Sequence, residues 1–69
     1  MIIVENNKNK IKDIHKIIKK IKDIYDIDVY DLNSFSYNIK LETINLDEEE
    51  ILKVKRLLSN NNIKYKYET

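Results

Sequence analysis

Hydrophobic residues recur at two different spacings along this chain, and the spacing changes where one predicted element gives way to the next. Met1–Glu5 is apolar at four consecutive positions, which is typical of a short central strand. From Lys8 to about Tyr25, after a connection at Asn6 and Asn7 whose side chains can cap a helix, apolar residues step by three and four. This pattern predicts a first helix with the apolar stripe Ile11, Ile14, Ile17, Ile18, Ile21, Ile24 and Tyr25.

Near Asp26 the apolar period falls from helical spacing to simple alternation, which predicts a β-hairpin. One strand covers residues 27–31, a turn lies at Asn33-Ser34, and a longer strand runs from Phe35 to Thr43. A two-residue loop would place Tyr30 and Leu32 beside Phe35 and Tyr37, whereas a three-residue loop would place Ile27 and Val29 beside Ile39 and Leu41. Because a slip of one residue exchanges the two faces, we favour the three-residue loop, which buries both Ile27 and Val29 beside Ile39 and Leu41.

A second helix is predicted to begin at Asp47, which is followed three residues later by Glu50 in the spacing of a capping box. Leu46 and Ile51 stand where a hydrophobic staple would lie, and the three asparagines Asn60–Asn62 end the helix. Its predicted buried stripe consists of Ile51, Val54, Leu57 and Leu58. A last strand follows, in which Ile63, Tyr65 and Tyr67 alternate with Lys64 and Lys66.

The element order β-α-β-β-α-β predicts one small α+β domain over residues 1–69. The topology we expect is the ferredoxin-like split βαβ, a two-layer sandwich in which two helices cover one face of a four-stranded antiparallel sheet. Strands one and three, the most apolar and the longest, would be central. Strands two and four, which carry aspartates and lysines, would be the edges.

The composition excludes several classes of chemistry. The chain has no Gly, so it has neither a P-loop nor a Gly-rich dinucleotide fingerprint. It has no Cys, so disulfides, a thiolate nucleophile, sulfur-ligated zinc and iron–sulfur centres are excluded. Its 13 Ile, 12 Lys and 9 Asn suggest an AT-rich genome. No apolar run is long enough for a membrane span or a signal peptide, so we expect a soluble cytoplasmic protein.

Candidate catalytic and metal-binding residues are few. His15 is the only histidine and lies beside the apolar stripe of the first helix, so we expect a structural or surface role. Asp26, Asp28 and Asp31 could hold a cation, but they lack the pattern of a calcium loop and suit the protection of an edge strand better. Glu48–Glu50 lie in the first turn of a helix, where acids interact favourably with the helix dipole. We therefore predict no catalytic residues, no metal site and no cofactor.

Charge is segregated along the chain although the net charge is only +1. Residues 1–22 carry a net charge of +5, residues 23–50 carry −8, and residues 51–69 carry +4. The first helix has a row of lysines on its polar side, which can neutralise phosphates: Lys12, Lys16, Lys19 and Lys20. A solvated helix face explains the same row, which Asp13 and Asp23 interrupt.

The sheet face that lacks helices is the second candidate surface. It would carry Ile3, Asn38, Lys40, Glu42, Lys64 and Lys66, with Ile44, Tyr30 and Leu32 near it. Tyr37, Tyr65 and Tyr67 could stack bases, as in RNA-recognition domains. Because Tyr37 and Tyr65 share their strand parity with buried residues, we expect them to pack against the core instead.

The stretch Asn38–Glu68 has the layout strand, Asp-Glu-Glu-Glu cap, amphipathic helix, asparagine turn and Ile-Lys-Tyr-Lys-Tyr strand. This layout resembles the second half of small ferredoxin-like regulatory domains of the ACT and NIL types. The resemblance implies a ferredoxin-like fold and a regulatory role. The glycine-bearing ligand loop of ACT domains is absent, as are the early arginine and Gly-rich loop of acylphosphatases, so no binding or catalytic residue is carried over.

These observations predict a small non-enzymatic regulatory protein that contacts a protein partner or a second copy of itself, with no membrane association. One form of this function is an inhibitor of a host factor, encoded by a phage or another mobile element. The alternative is a nucleic-acid-binding protein that uses the lysine row of the first helix. An enzyme is not expected, because a convergent pocket needs volume that so short a chain scarcely has.

Overall fold

The computed structural model describes residues 1–32 and 38–68. The chain forms an α+β fold in which four strands and two helices follow the predicted order. The elements are β1 (Ile2–Val4), α1 (Ile11–Tyr25), β2 (Val29–Tyr30), β3 (Ile39–Leu41), α2 (Glu48–Asn60) and β4 (Tyr65–Tyr67). A 3₁₀ turn at Lys8–Lys10 leads into α1. Neither helix in this part of the chain is long and apolar enough to cross a bilayer.

The four strands form one antiparallel sheet in the order β2-β3-β1-β4. The prediction that the first and third strands are central and the second and fourth are edges is therefore confirmed. Within the described residues β3 begins at Ile39, and the predicted strand positions 35–37 lie outside them. The predicted turn at Asn33-Ser34, and Tyr37 with it, lie outside the described residues.

The register of the hairpin places Val29 opposite Leu41 and Tyr30 opposite Lys40. Ile27, two residues before Val29, is buried, whereas Tyr30 is 46% exposed. The prediction that these two aliphatic residues face the core is thus confirmed, and burial explains it, because the opposite face would have exposed both of them. The pairing itself differs, since a three-residue loop would place Val29 opposite Ile39 rather than Leu41, and the loop lies outside the described residues. Leu32, predicted to lie near the open face, packs against the core instead, since Asp31 has a positive φ of 62° that interrupts the alternation.

The hydrophobic core lies between the helices and one face of the sheet. Alternate residues of the two central strands have no solvent exposure, namely Ile2 and Val4 in β1 and Ile39 and Leu41 in β3. Both helices contribute to the same cluster. Their buried residues are Ile14, Ile18 and Ile21 in α1 and Val54 and Leu58 in α2. The residues between them in each strand face the other side of the sheet, where neither helix packs, so this second face is open.

The buried apolar stripe of the first helix ends before the helix itself does. Asn7 accepts a hydrogen bond from the Asn9 backbone, as a helix-capping asparagine should. Ile24, predicted to belong to the stripe, is 58% exposed. It follows the half-buried Ile17 by seven residues, and an α-helix drifts by about 20° over that interval, which carries Ile24 away from the core. Asp26 then ends the helix in the left-handed conformation, with φ of 51°, and its N–H donates to the Lys22 carbonyl.

The second helix has the predicted capping box. The Asp47 carboxylate accepts a hydrogen bond of 2.8 Å from the Glu50 N–H, and the Glu50 side chain accepts one of 3.3 Å from the Asp47 N–H. The helix ends at Asn60, and Asn62 takes a left-handed φ of 57° in the turn that follows. Asparagine occupies a position where glycine is usual, because its side chain tolerates this conformation.

Candidate interaction surfaces

The described residues do not assemble a catalytic group around the single histidine. His15 is half-buried on α1, and its Nε2 atom is buried without a hydrogen-bond partner in the described part of the chain. Proton transfer would need a carboxylate or hydroxyl within hydrogen-bond reach of this nitrogen. Of the serines considered for a Ser–His pair, Ser59 lies exposed on α2, and Ser34 and Ser36 fall outside the described residues.

Two of the three aspartates of the hairpin region, Asp26 and Asp31, have separate structural roles. Asp26 caps α1, so the expectation that it protects an edge strand is wrong. Asp31 lies beyond β2, and its carboxylate is 3.6 Å from the Lys40 ammonium. Within residues 1–32 and 38–68 no three His, Cys, Asp or Glu side chains are grouped as ligands for a metal ion. Glu50 likewise serves the capping box of α2.

The open sheet face is organised in rows that run across the strands. The strand pairing aligns Tyr30 with Lys40, Lys40 with Ile3, and Ile3 with Lys66. We call these four residues the basic row. Ile3 is half-buried in its centre, Tyr30 lies at one edge, and the Lys40 side chain is 46% exposed.

A second row on the same face is acidic. The Glu42 N–H donates to the Asp28 carbonyl, and the Glu68 N–H donates to the Met1 carbonyl, so the ladder continues beyond the regular strands. These pairs align Asp28, Glu42, Met1 and Glu68 one step along the strands from the basic row. We call Asp28, Glu42 and Glu68 the acidic row. The sequence predicts Glu42 on this face but gives no signal for Asp28 and Glu68. The strand pairing alone brings these two residues into the same row as Glu42.

Beyond the basic row, the open sheet face forms a shallow depression of about 760 Å³. Its lining includes Ile3, Asn38, Lys64 and Lys66. Lys64 and Lys66 are exposed, and neither forms an ion pair with another described residue. The sheet-face residues predicted from the sequence, Ile3, Lys40, Glu42, Lys64 and Lys66, therefore lie on one continuous surface.

The lysine row of α1 is a separate surface on the outer side of the helix layer. Lys12, Lys16, Lys19 and Lys20 are all exposed. None of the four is within ion-pair distance of an acid among the described residues. Asp13 and Asp23 are exposed on the same helix, so the row is a positive strip with acidic interruptions.

A groove lies between α2 and the edge strand β4, and the sequence pattern does not predict it. Leu52 is 46% exposed and Tyr67 is 38% exposed along it. The Lys55 ammonium lies 4.0 Å from the centre of the Tyr67 ring, in the geometry of a cation–π contact. Tyr65, on the same side of β4, is half-buried against the core, as predicted. The only signal for this groove in the sequence was Leu52, an apolar residue outside the buried stripe.

No protein-family model, no curated protein and no solved structure matches this chain.

Proposed function

We propose that this protein acts by non-enzymatic contact, regulating a protein partner or associating with a second copy through its open sheet face. The observation that carries the proposal is the uneven covering of the sheet. Both helices pack on one face of the sheet. The other face presents half-buried Ile3 and exposed Tyr30, together with Lys64 and Lys66, which form no ion pair with a described residue. Aromatic and aliphatic centres with polar surroundings are typical of contact surfaces.

The strand order β2-β3-β1-β4 and the antiparallel pairing support a ferredoxin-like split βαβ topology for this domain. Such a sheet keeps one bare face because both crossover helices return to the same side. The form of this function that we propose is an inhibitor of a host factor, encoded by a phage or mobile element and acting in the cytoplasm. The chain's small size supports it, as does the abundance of Ile, Lys and Asn that suggests an AT-rich genome.

The test compares three tagged proteins in an extract of the source cells. They are the wild type, a face variant, Tyr30→Ser with Lys66→Glu, and a helix variant, Lys16→Glu with Lys20→Glu. We expect the wild type and the helix variant to retain the same protein, and the face variant to lose at least ~90% of it, a tenfold weakening equivalent to ~1.4 kcal/mol. Equal retention by all three would contradict the use of the open sheet face.

Nucleic-acid binding through α1 is the second candidate, and the absence of ion pairs on Lys12, Lys16, Lys19 and Lys20 within the described residues favours it. Four lysines that neutralise phosphates would give binding that weakens steeply with salt. The measurement is fluorescence anisotropy with a labelled DNA and a labelled RNA at ~50 and ~200 mM salt. Binding that is lost in the helix variant and kept in the face variant supports this candidate, whereas no binding at the lower salt rejects it.

A further inference from the structure

The two rows of the open sheet face have opposite charge and lie one step apart along the strands. Same-face residues of a strand are about 6.7 Å apart, so the rows are close neighbours. On β3, Glu42 of the acidic row is two residues from Lys40 of the basic row, and on β4, Glu68 is two residues from Lys66. Each of these strands thus presents one acid and one lysine in the same order across the sheet.

This arrangement is self-complementary under a two-fold rotation. Consider an axis that lies in the plane of the open face, parallel to the rows and midway between them. The rotation reverses the strand direction but leaves each strand over its own counterpart. The acidic row of one copy then covers the basic row of the other, so that Glu42 faces Lys40 and Glu68 faces Lys66. Because the interface is isologous, each pair occurs twice.

The remaining positions of the two rows are also compatible with this stacking. Ile3 comes opposite the Met1 side chain near the centre, so an apolar contact lies between the charged pairs, while the Met1 ammonium donates a hydrogen bond of 2.7 Å to the Glu68 carbonyl of its own chain. Tyr30 comes opposite Asp28, whose carboxylate can accept a hydrogen bond from the phenol. Packed sheets are about 10 Å apart, a separation that extended lysine and glutamate side chains can span.

We infer, building on the proposed contact function, that the partner of the open sheet face is a second copy of this chain, stacked face to face with the acidic row of each copy over the basic row of the other. Charge complementarity selects this occupant over an acidic or a basic partner, because a partner of one sign would match only one of the two rows. The contact is small, so the dimer is expected to be weak and sensitive to salt.

The most informative variants are Lys66→Glu and Glu68→Lys, because neither side chain forms an ion pair or a hydrogen bond within the described part of its own chain. Lys66→Glu would place two glutamates opposite each other at two points of the dimer, and Glu68→Lys would do the same with lysines. Each single variant is expected to weaken self-association by at least ~10-fold. The double variant reverses the charges of both partners in each of these pairs and is expected to dimerise within ~3-fold of the wild type.

A mixture of the two single variants gives a stronger test. In the mixed dimer, the chain carrying Lys66→Glu has an acid at both positions and the chain carrying Glu68→Lys has a lysine at both, so every facing pair is attractive. Sedimentation velocity from about 10 µM to about 1 mM should show mainly monomer for each variant alone and dimer for the mixture. Lys19→Glu makes the same charge change on α1 and is the matched control, which should dimerise as the wild type does. Circular dichroism of every variant confirms that it is folded.

Three results would overturn the inference. They are a wild type that stays monomeric to the highest concentration, dimerisation that the single variants do not weaken, and a mixture of the variants that stays monomeric. These failures are distinguishable from failure of the proposed function. A monomeric protein whose face variant loses a captured partner would retain the contact function and reject only the second copy as its occupant.

Discussion

The two faces of the same sheet are built from neighbouring residues and yet meet opposite environments. Ile39 in β3 has no solvent exposure, while the side chain of Lys40, the next residue, is 46% exposed. In β1, Ile2 and Val4 are fully buried and Ile3 between them is only half-buried. The difference arises because α1 and α2 both pack on one side.

This comparison separates residues that hold the fold together from residues that are free to make contacts. Full burial of an aliphatic side chain is worth about 1.5–3 kcal/mol, so the covered face tolerates little change in a domain of this size. On the open face the same strands display charges with few partners of their own. Selection for stability acts weakly there, which leaves the pattern of the two rows available for recognition.

The largest expected effect comes from the covered face of β3. Ile39→Ala should lower the free energy of unfolding by about 2–5 kcal/mol, because it removes buried methyl groups and leaves a cavity. Lys40→Ala, one residue later, should cost less than ~1 kcal/mol, since it removes only a half-exposed ion pair with Asp31. Urea unfolding followed by circular dichroism measures both. Similar losses for the two variants would break the comparison between the faces.

Loss of the N-terminal cap of α2 should cause the next largest decrease in the free energy of unfolding, because this helix covers one face of the sheet. Asp47→Ala removes the acceptor for the Glu50 N–H and should cost about 1 kcal/mol, whereas Asp47→Asn should retain most of the stability. Glu49→Ala in the same turn loses only an exposed pair with Lys53 and should cost less than ~0.5 kcal/mol. Thermal unfolding distinguishes them, and an Asp47→Ala protein as stable as the wild type would refute the role of the cap.

A glycine at the C-terminal end of α1 should have a smaller effect and should raise the free energy of unfolding rather than lower it. Asp26 has a positive φ of 51°, so Asp26→Gly should raise the free energy of unfolding by about 0.5 kcal/mol. The matched substitution Asp23→Gly lies inside the same helix and should lower it by about 0.3 kcal/mol, the difference in helix propensity between the two residues. Chemical unfolding of the two variants is the measurement. A loss of stability in both would show that the Asp26 side chain contributes more than its backbone conformation.

The smallest effect on stability is expected on the open face. Lys66→Glu should change the free energy of unfolding by no more than ~0.5 kcal/mol, because Lys66 is exposed and has no ion-pair partner among the described residues. Its effect on self-association should nevertheless be large. Unfolding measured at low protein concentration, where the monomer predominates, separates the two quantities. A large destabilisation of the monomer would mean that this face also supports the fold.

Much of the architecture was predictable from local patterns. The stripe through Ile14, Ile18 and Ile21 and the capping box at Asp47 each depend on residues close in sequence, and both were confirmed. The central places of β1 and β3 followed from their apolar character. The errors lie where local pattern and packing disagree. Ile24 has helical spacing but falls at the edge of the stripe, and Asp26 caps a helix rather than a strand edge.

The sequence by itself determined which segments become helices and strands, where the helices are capped, and which classes of chemistry are excluded, because these depend on residue type and short-range spacing. The tertiary structure alone decided which lysines and acids become neighbours across strands. Asp28, Glu42 and Glu68 are far apart in the chain and align only through hydrogen bonds of the sheet. Pairing register is a long-range property, set by the burial of whole strands, so a surface made of rows is visible only once the sheet has formed.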